Sequence, residues 1–583
     1  MKHTGVHFRI GVTGHRDIHP ENIEFAKQQT KIFLIGLRDL MPNTEISVMS
    51  GMADGADRIF AVTALELGMS VQAVLPMPWK YYKSDFDATS KSELKDLFSR
   101  EDVEVVELSL PENLDENEEN WPEGTRDKLY ALLSHDLRVR AAALVALWDG
   151  DFNHLSGGTG DTLAAYLDIS VEADYANIIQ LDAEGEIPGN APFAYWIPIS
   201  RLSNETLHTT ISNNQSCWLF AQGEVIYQTA SMPDQLEREL SLLDGINRNY
   251  TTLSEEDRLI SYGNLLDDCR DTLGEDAKKF ADTDRAYTMS DSLALYHQTR
   301  SDKLFSLFSL MAATMGLMFL VYAKLAAVQA LLITYLVLFF GGVYLNARGN
   351  KNEWFTRHLV YRCLAETLRV RFYLDLSGAH NKVDIQKILQ NTGISNFEGF
   401  SWIRYVLKST INISNPAPVP QGIAAERIEC AKKNWIADQA GYFERKSHAL
   451  HQRHQRLEKI KKWVIAGLVV AAIALVFFKK TLVGINLGGD LSLKTLIIFA
   501  MGLFPFWLGV WEIYENKMAT KELLWQYQNQ WRRFADTEKT LEQASQINHK
   551  REEIVRLGET SVIENCLWII QRYHRDHEPP TAG

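Results

Sequence analysis

Apolar and polar positions follow two different rhythms along this chain. From Met1 to about Asn204, short apolar stretches recur at Phe8–Val12, Glu45–Met49, Ser70–Leu75, Val103–Leu108, Ala142–Leu147 and Phe193–Ile197. Each has strand length, and helical stretches such as Ala56–Leu67 and Thr125–Ala143 lie between them. Strand–helix alternation predicts an α/β domain built on a doubly wound, Rossmann-like parallel sheet. From about Met232 to Asp302 the pattern turns helical and polar, as in a connector.

Beyond Asp302 the rhythm changes to long apolar runs: Leu304–Ala323, Leu325–Asn346, Trp463–Phe478 and Leu496–Tyr514. A helix of about 20 apolar residues crosses a bilayer, and these runs read as four transmembrane helices in two hairpins. The third run is short and either borrows from Leu482–Leu487 or tilts less. Tyr322, Tyr344, Trp463, Trp507, Trp511 and Tyr514 lie near run ends, where interfacial aromatics belong. The cores of the runs lack ionisable side chains, so a pump is not expected. Thr314, Gln329, Thr334 and Pro505 are read as helix-packing or kink positions before pore-lining ones.

Basic residues crowd the outer flanks: Arg300 and Lys303, then Arg348, Lys351 and Arg357, then Arg453, Arg456, Lys459, Lys461 and Lys462, and finally Lys517 and Lys521. The connecting turns carry fewer, Lys324 in one and Lys479, Lys480 and Lys494 against Asp490 in the other. This distribution predicts cytoplasmic N- and C-termini. Helical patterns continue at Asn352–Leu376, Ala424–Lys462 and Glu512 to about His574, long enough to extend into the cytosol and pack together between chains. The segment from Asp384 to Pro420 is a break. The expected partition is 1–231 for the α/β domain, 232–302 for the connector, 303–378 for the first hairpin, 379–423 for a linker, and 424–583 for the second hairpin. His448, His451 and His454 share a helix face, where a metal is conceivable but a basic helix near anionic lipid is the expectation; His574 and His577 are read the same way.

Composition narrows the function classes. At 583 residues the chain holds several structural units, and its net charge of -14 argues against a nucleic-acid binder. Cys217, Cys269, Cys363, Cys430 and Cys566 form no CxxC pair, which fits a reducing compartment. The start, MKHTGVHFRIGVTGHRD, has no apolar signal core, so the first domain is expected to stay in the cytoplasm. The acidic run Glu112–Glu119 reads as a solvated loop.

Three loops after apolar strands carry the candidate chemistry. The first includes Thr13, Gly14, His15 and Arg16; the second includes Ser50, Gly51, Asp54 and Asp57. The third begins at Trp148-Asp149-Gly150 and continues through the glycine-rich turn from Ser156 into Gly157, Gly158, Thr159, Gly160, Asp161 and Thr162, with Asp161-Thr162 opening a helix. In a doubly wound sheet such loops gather at the carboxyl ends of the strands, where ligands bind. Glycines let the backbone approach a ligand, helix N-termini favour anions, and Arg16 suits a phosphate. Each residue also has a plainer reading. The glycines could make only the turn, Asp149 and Asp161 could cap helices, Asp54 and Asp57 could cap the helix after them, and His15 could be a packed loop histidine. Pro76, Pro78, Tyr81 and Tyr82 form either an aromatic wall for a base or a strand exit.

SVMSGMADGADRIFAVTALELGMSVQAVLP, Ser47 to Pro76, together with GVTGHRD and WDG…GGTGDT, resembles the SLOG superfamily, which includes bacterial DNA-processing protein A and the lonely-guy cytokinin-activating enzymes. The resemblance implies a Rossmann-like domain that binds a nucleotide, cyclic nucleotide or ADP-ribose derivative, often as a signal. YRCLAETLRVRFYL, Tyr361 to Leu374, and ENCLWIIQRYHRDHEP, Glu564 to Pro579, resemble SLATT domains, two-transmembrane effectors of bacterial conflict systems. That likeness implies a multi-pass protein of the inner membrane and a membrane-perturbing, pore-forming, oligomeric effector in anti-phage defence. The lonely-guy motif PGGxGTxxE has a catalytic glutamate. Here Leu163-Ala164-Ala165 follow Thr162, with no glutamate in that place, so binding without cleavage is expected, with no cofactor or metal. The alternatives are a membrane-tethered nucleotide N-glycosidic hydrolase using Asp161 or Asp149, and a membrane scaffold with a degenerate SLOG fold.

Overall fold

The computed structural model describes residues 5–111, 114–115, 117–151, 157–169, 178–180, 191–203, 215–223, 225–258, 263–379, 382–411, 420–486, 488 and 492–577. Ser156, Asp490 and Pro579 lie outside them, as do positions 112, 113 and 116 of the acidic run. The chain divides into two compact units. One comprises Met1–Ser292, Cys363–Arg427 and Gly558–Leu567; the other comprises Leu293–Arg362, Ile428–Leu557 and Trp568–Gly583.

The first unit is built on a nine-stranded sheet. Its strands are β1 (His7–Gly14), β2 (Glu45–Ser50), β3 (Ser70–Leu75), β4 (Val103–Glu107), β5 (Ala143–Trp148), β6 (Ile178–Gln180), β7 (Phe193–Pro198), β8 (Cys217–Gln222) and β9 (Val225–Thr229). The order across the sheet is β4-β3-β2-β1-β5-β7-β8-β9-β6. Neighbours from β4 to β7 are parallel; β8 is antiparallel to both β7 and β9, and β6 closes parallel to β9. Successive strands from β1 step outward to β4, and then β5 returns to the other side of β1. The carboxyl ends of β1 and β5 therefore meet where the direction of winding reverses, in register with Gly14 opposite Leu147.

The helices that matter for the site are α1 (Pro20–Leu40), α2 (Ala56–Glu66), α3 (Trp79–Tyr82), α4 (Ala88–Phe98), α5 (Thr125–Arg140), α6 (Thr159–Leu167) and α7 (Asp234–Thr251). Every residue of β5 and β7 is buried, as the uninterrupted apolar runs ALVALW and FAYWIP require of central parallel strands. Leu144, Ala146 and Trp148 pack with Leu163, Leu167, Trp196 and Leu219, which seats α6 on the sheet. Leu133 and Leu137 of α5 join Met49 and Val74 in a second cluster. Phe33 of α1 stacks on Tyr195 at 4.5 Å.

Later chain completes this unit. Residues 379–411, read from sequence as a linker, hold the helices Ile385–Asn391 and Ile403–Ser409. Ser409 Oγ accepts the Arg9 N–H at 3.2 Å, and the Ile411 carbonyl accepts from Arg9 at 2.5 Å and from Arg140 at 3.0 Å. Both guanidiniums are buried, so this carbonyl satisfies donors that would otherwise be stranded. Asn247 of α7 bonds the backbone of Val6 in both directions, at 2.8 and 3.0 Å.

Several element bounds differ from the sequence reading. α5 stops at Arg140 because Ala141 is extended, and α6 opens at Thr159, before Asp161. The end of the connector, from Ala277, and the first apolar run form one 48-residue helix, Ala277–Lys324. The expected helix from Glu512 to His574 is three helices, Leu493–Lys517, Thr520–Gln543 and Ile547–His577. Ala519, at φ 50°, makes the first break, and extended Ala544 makes the second.

Among the described residues, four helices are long and apolar enough to cross a membrane, lying within 267–324, 329–376, 421–477 and 493–543, which marks a membrane protein. The runs Leu304–Ala323 and Leu496–Tyr514 fall inside them, whereas Leu325–Asn346 begins before its helix opens at Gln329 and Trp463–Phe478 ends one residue past Phe477. In the second unit the Trp507 indole donates to the Ala313 carbonyl at 3.0 Å, and Phe506 lies against Gly316, where a Cβ would stand 2.0 Å from its ring. Lys461 reaches Glu512 at 2.8 Å and Glu515 at 2.7 Å. The Asp438–Phe477 and Thr520–Gln543 helices pack within one chain, through Phe443 against Tyr527 and Phe534.

Candidate functional site

The loop leaving β1 is pinned on three sides. The His15 N–H donates to the Leu147 carbonyl at 3.2 Å, and the His15 carbonyl accepts from Ala56 N–H, at the start of α2, at 3.0 Å. Leu202 N–H donates to the Asp17 carbonyl at 2.8 Å, and Asp17 pairs with Arg201 at 2.9 Å. Thr13 is still in β1, opposite Ala146. A Cβ on Gly14 would stand 2.3 Å from the Ala56 Cβ and 2.7 Å from the Leu147 oxygen, so only glycine lets α2 and β5 close on this strand end. Gly55 is constrained more tightly still. Its φ is 79°, and a Cβ there would meet the Arg16 and His15 oxygens at 2.4 and 2.6 Å.

This bracing brings His15 over the end of β5. His15 Nε2 lies 2.9 Å from Asp149 Oδ1, at ion-pair distance but outside hydrogen-bond alignment. Asp149 is 1% exposed. Burial presses its carboxyl upward, but the His15 contact and the Asp151 N–H outweigh burial and hold it below the ordinary carboxylate value. Arg16 projects at the exposed rim, donating to Tyr130 Oη at 2.9 Å with its guanidinium carbon 5.1 Å from that ring. Tyr130 in turn donates to Asp85, which also pairs with Arg126.

The second loop divides its residues. Ser50 Oγ accepts from Met52 N–H at 3.0 Å and donates to the Asp57 carbonyl at 3.1 Å. The Gly51 carbonyl accepts the Tyr82 hydroxyl at 2.8 Å. A Cβ on Gly51 would fall 2.9 Å from Asp57 Oδ2 and 2.8 Å from Leu133, so Asp57 lies tight beneath the loop. Burial pushes the Asp57 carboxyl up to about 7, against the pull of Arg16 and of the Ala53 and Gly51 N–H groups. Asp54 turns outward instead: it pairs with Arg58 at 2.8 Å and accepts from Ser90 of α4 at 2.7 Å.

The third loop answers why glycines cluster there. Gly157 has φ 74°, and a Cβ would meet the Ala131 nitrogen at 2.8 Å and the Tyr130 carbonyl carbon at 3.0 Å. Gly157 is therefore glycine because α5 backbone lies against it. Gly158 caps α6 with φ −72°, a conformation open to any residue, so its own backbone angles do not require glycine. Asp161 accepts the Gly157 N–H at 2.9 Å. Thr162 donates to the Gly158 carbonyl at 2.8 Å and exchanges a hydrogen bond with Ser134 of α5 at 2.8 Å. Thr159, Gly160 and Thr162 are buried in the first turn of α6. The first N–H groups of any helix lack intrahelical acceptors and carry positive dipole charge.

The loops after β1 and β5 are thus joined directly through His15 and Asp149. All three loops meet α5, whose Tyr130, Leu133, Ala131 and Ser134 lie against Arg16, Gly51, Gly157 and Thr162 respectively. Asp54 is the predicted residue facing elsewhere. The α5 residues and Asp85 were not among the expected site residues. Tyr130 and Ser134 sit four apart on one helix face, a spacing that could have flagged them. Tyr81 packs at a tilt against Trp121, ring centres 4.9 Å apart, and Tyr82 is fully buried, which favours a packed strand exit over an open aromatic wall.

Chemically, the arrangement offers a cation at the rim, a half-buried histidine paired with a buried carboxylate, and a helix N-terminus on a glycine-bearing loop. The cation and the helix N-terminus are elements that favour an anion. Among the described residues, no group of three His, Cys, Asp or Glu side chains is placed to hold a metal ion. Comparison with family models, curated proteins and solved structures finds no match to this chain.

Proposed function

We propose that this protein is a membrane-bound sensor and effector whose α/β unit binds a nucleotide-derived anion at the three loops and thereby biases the state of the membrane helices. In this reading the sheet is a doubly wound, Rossmann-like one of the SLOG type, and the apolar helices form two SLATT-like hairpins. The observation that carries it is the meeting of His15 and Asp149 at the carboxyl ends of β1 and β5, where the strand order turns back across β1, the usual place for ligands in doubly wound sheets. Arg16 supplies phosphate recognition, and the α6 N-terminus supplies backbone donors. Both carboxylates available for cleavage are engaged: Asp161 by the Gly157 N–H, and Asp149 by His15 and the Asp151 N–H. That favours binding over hydrolysis. Ligand binding shifts a pre-existing equilibrium between states of an oligomer, opening or disrupting the membrane in anti-phage defence.

The His15–Asp149 pair also favours a second reading. A histidine held by a buried carboxylate is the arrangement of a general base, so a nucleotide hydrolase using His15 is the competing activity. The full chain, purified in detergent, separates the two. It is mixed with nucleoside mono- and diphosphates, cyclic nucleotides and ADP-ribose, and thermal stability and chromatograms are recorded on the same samples. Stabilisation with the nucleotide recovered intact supports the sensor. Consumption of the nucleotide supports the hydrolase.

A further inference from the structure

The helix entering the third apolar run sorts its charges by face. At 100° per residue, Lys461 and Glu458 point to one side, where Lys461 is satisfied by Glu458, Glu512 and Glu515. Arg453, Arg456, Lys459, Ile460 and Trp463 occupy the other side, and all are exposed. No carboxylate lies on this stripe. Among the described residues, Arg453, Arg456 and Lys459 make no ion pair or side-chain hydrogen bond. The stripe continues in seven-residue steps from Arg456 to Trp463, Val470 and Phe477, the last three exposed by 79%, 65% and 75%.

We propose that this face docks anionic phospholipid headgroups of the membrane that the chain spans. The order of chemistry along the stripe matches the order of a bilayer leaflet. Val470 and Phe477 are apolar enough for hydrocarbon, and Trp463 is the amphipathic ring of the interface. Lys459 and Arg456 follow about 6 and 10 Å further along the axis, at the depth of the headgroups. Long basic side chains reach toward phosphate while their stems cover apolar surface. Uncompensated cations at that depth select anionic over zwitterionic lipid, by about five-fold per residue. The inference rests on the membrane reading and is independent of the nucleotide ligand.

The test uses the full chain in lipid nanodiscs containing labelled phosphatidylglycerol or labelled phosphatidylcholine in an unlabelled background. Energy transfer from the protein reports lipid enrichment beside it. The expected result is enrichment of phosphatidylglycerol that weakens at high salt and falls at least ten-fold in the triple variant Arg453→Gln, Arg456→Gln, Lys459→Gln. The equal-charge control Lys31→Gln, Lys95→Gln, Lys128→Gln, on the α/β unit, retains it. Equal enrichment of both lipids by the unmodified chain, or an unchanged preference in the Arg453/Arg456/Lys459 variant, overturns the proposal. Release of the full chain from membranes by alkaline carbonate overturns the membrane reading beneath it, and that failure is distinguishable from a loss of lipid selectivity.

Discussion

His15 Nε2 stands 2.9 Å from Asp149 Oδ1, and this contact joins the loops that leave β1 and β5. It depends on Gly14 and Gly55, since any side chain at either position collides with the backbone that braces His15. A buried carboxylate with a histidine partner loses much when that partner is removed. His15→Ala is expected to destabilise the α/β unit by about 1–3 kcal/mol and to weaken ligand binding, whereas Arg16→Ala, at the exposed rim, weakens binding with little effect on stability. Denaturant titration beside a binding titration separates the two effects.

Asp57 predicts a pH dependence of stability. Its folded value of about 7 lies above the ordinary carboxylate value near 4, so the folded chain binds more protons in that window. Stability contributed by the protonated form is full below about pH 4 and is lost as the pH rises toward 7. Asp57→Asn is expected to flatten this slope. Urea unfolding at stepped pH checks it, and an unchanged slope in the variant refutes the assignment. Asp149 has the opposite sign. Its lowered value adds stability above about pH 4 that disappears as the medium becomes more acidic.

Gly157 and Gly158 are expected to respond differently to substitution. Gly157→Ala places a Cβ against α5 backbone at positive φ and is expected to cost roughly 2–4 kcal/mol. Gly158→Val meets no such backbone angle. As the loss of a glycine N-cap it is expected to cost only about 1 kcal/mol, less than Gly157→Ala, while blocking the approach of an anion to the α6 N-terminus. Thermal unfolding with and without nucleotide distinguishes a turn glycine from a ligand glycine.

Lys461 is 15% exposed and its partner Glu515 is 7% exposed. Lys461→Met strands that carboxylate and is expected to destabilise the second unit by roughly 2–3 kcal/mol. The double variant with Glu515→Leu is expected to recover most of the loss. Unfolding of the full chain in micelles measures both; failure of the second change to rescue would show that the pair is not coupled.

The central strands were legible because fully buried parallel strands are written as uninterrupted apolar runs, as in ALVALW and FAYWIP. β6, β8 and β9 were not recognised. β6 is only 3 residues long, and β9 mixes polar Gln228 and Thr229 into its buried face. The membrane-length helices announced themselves by length and composition. The break at Ala519 did not, because an alanine at positive φ defies its own propensity and follows from tertiary packing. At the site, glycines and acidic residues pointed to the loops that leave β1, β2 and β5, but spacing cannot show which way a side chain turns. Asp54 faces Arg58 and Ser90, and Tyr130 arrives from a helix remote in sequence.

The most direct measurement of the central claim is a thermal-shift titration of the full chain with the nucleotide and ADP-ribose panel, repeated on Arg16→Ala and Gly158→Val. The sensor reading predicts that at least one nucleotide-derived anion stabilises the unmodified chain, is recovered intact, and no longer stabilises either variant. A panel without any stabilising member, or stabilisation that survives both substitutions, contradicts it.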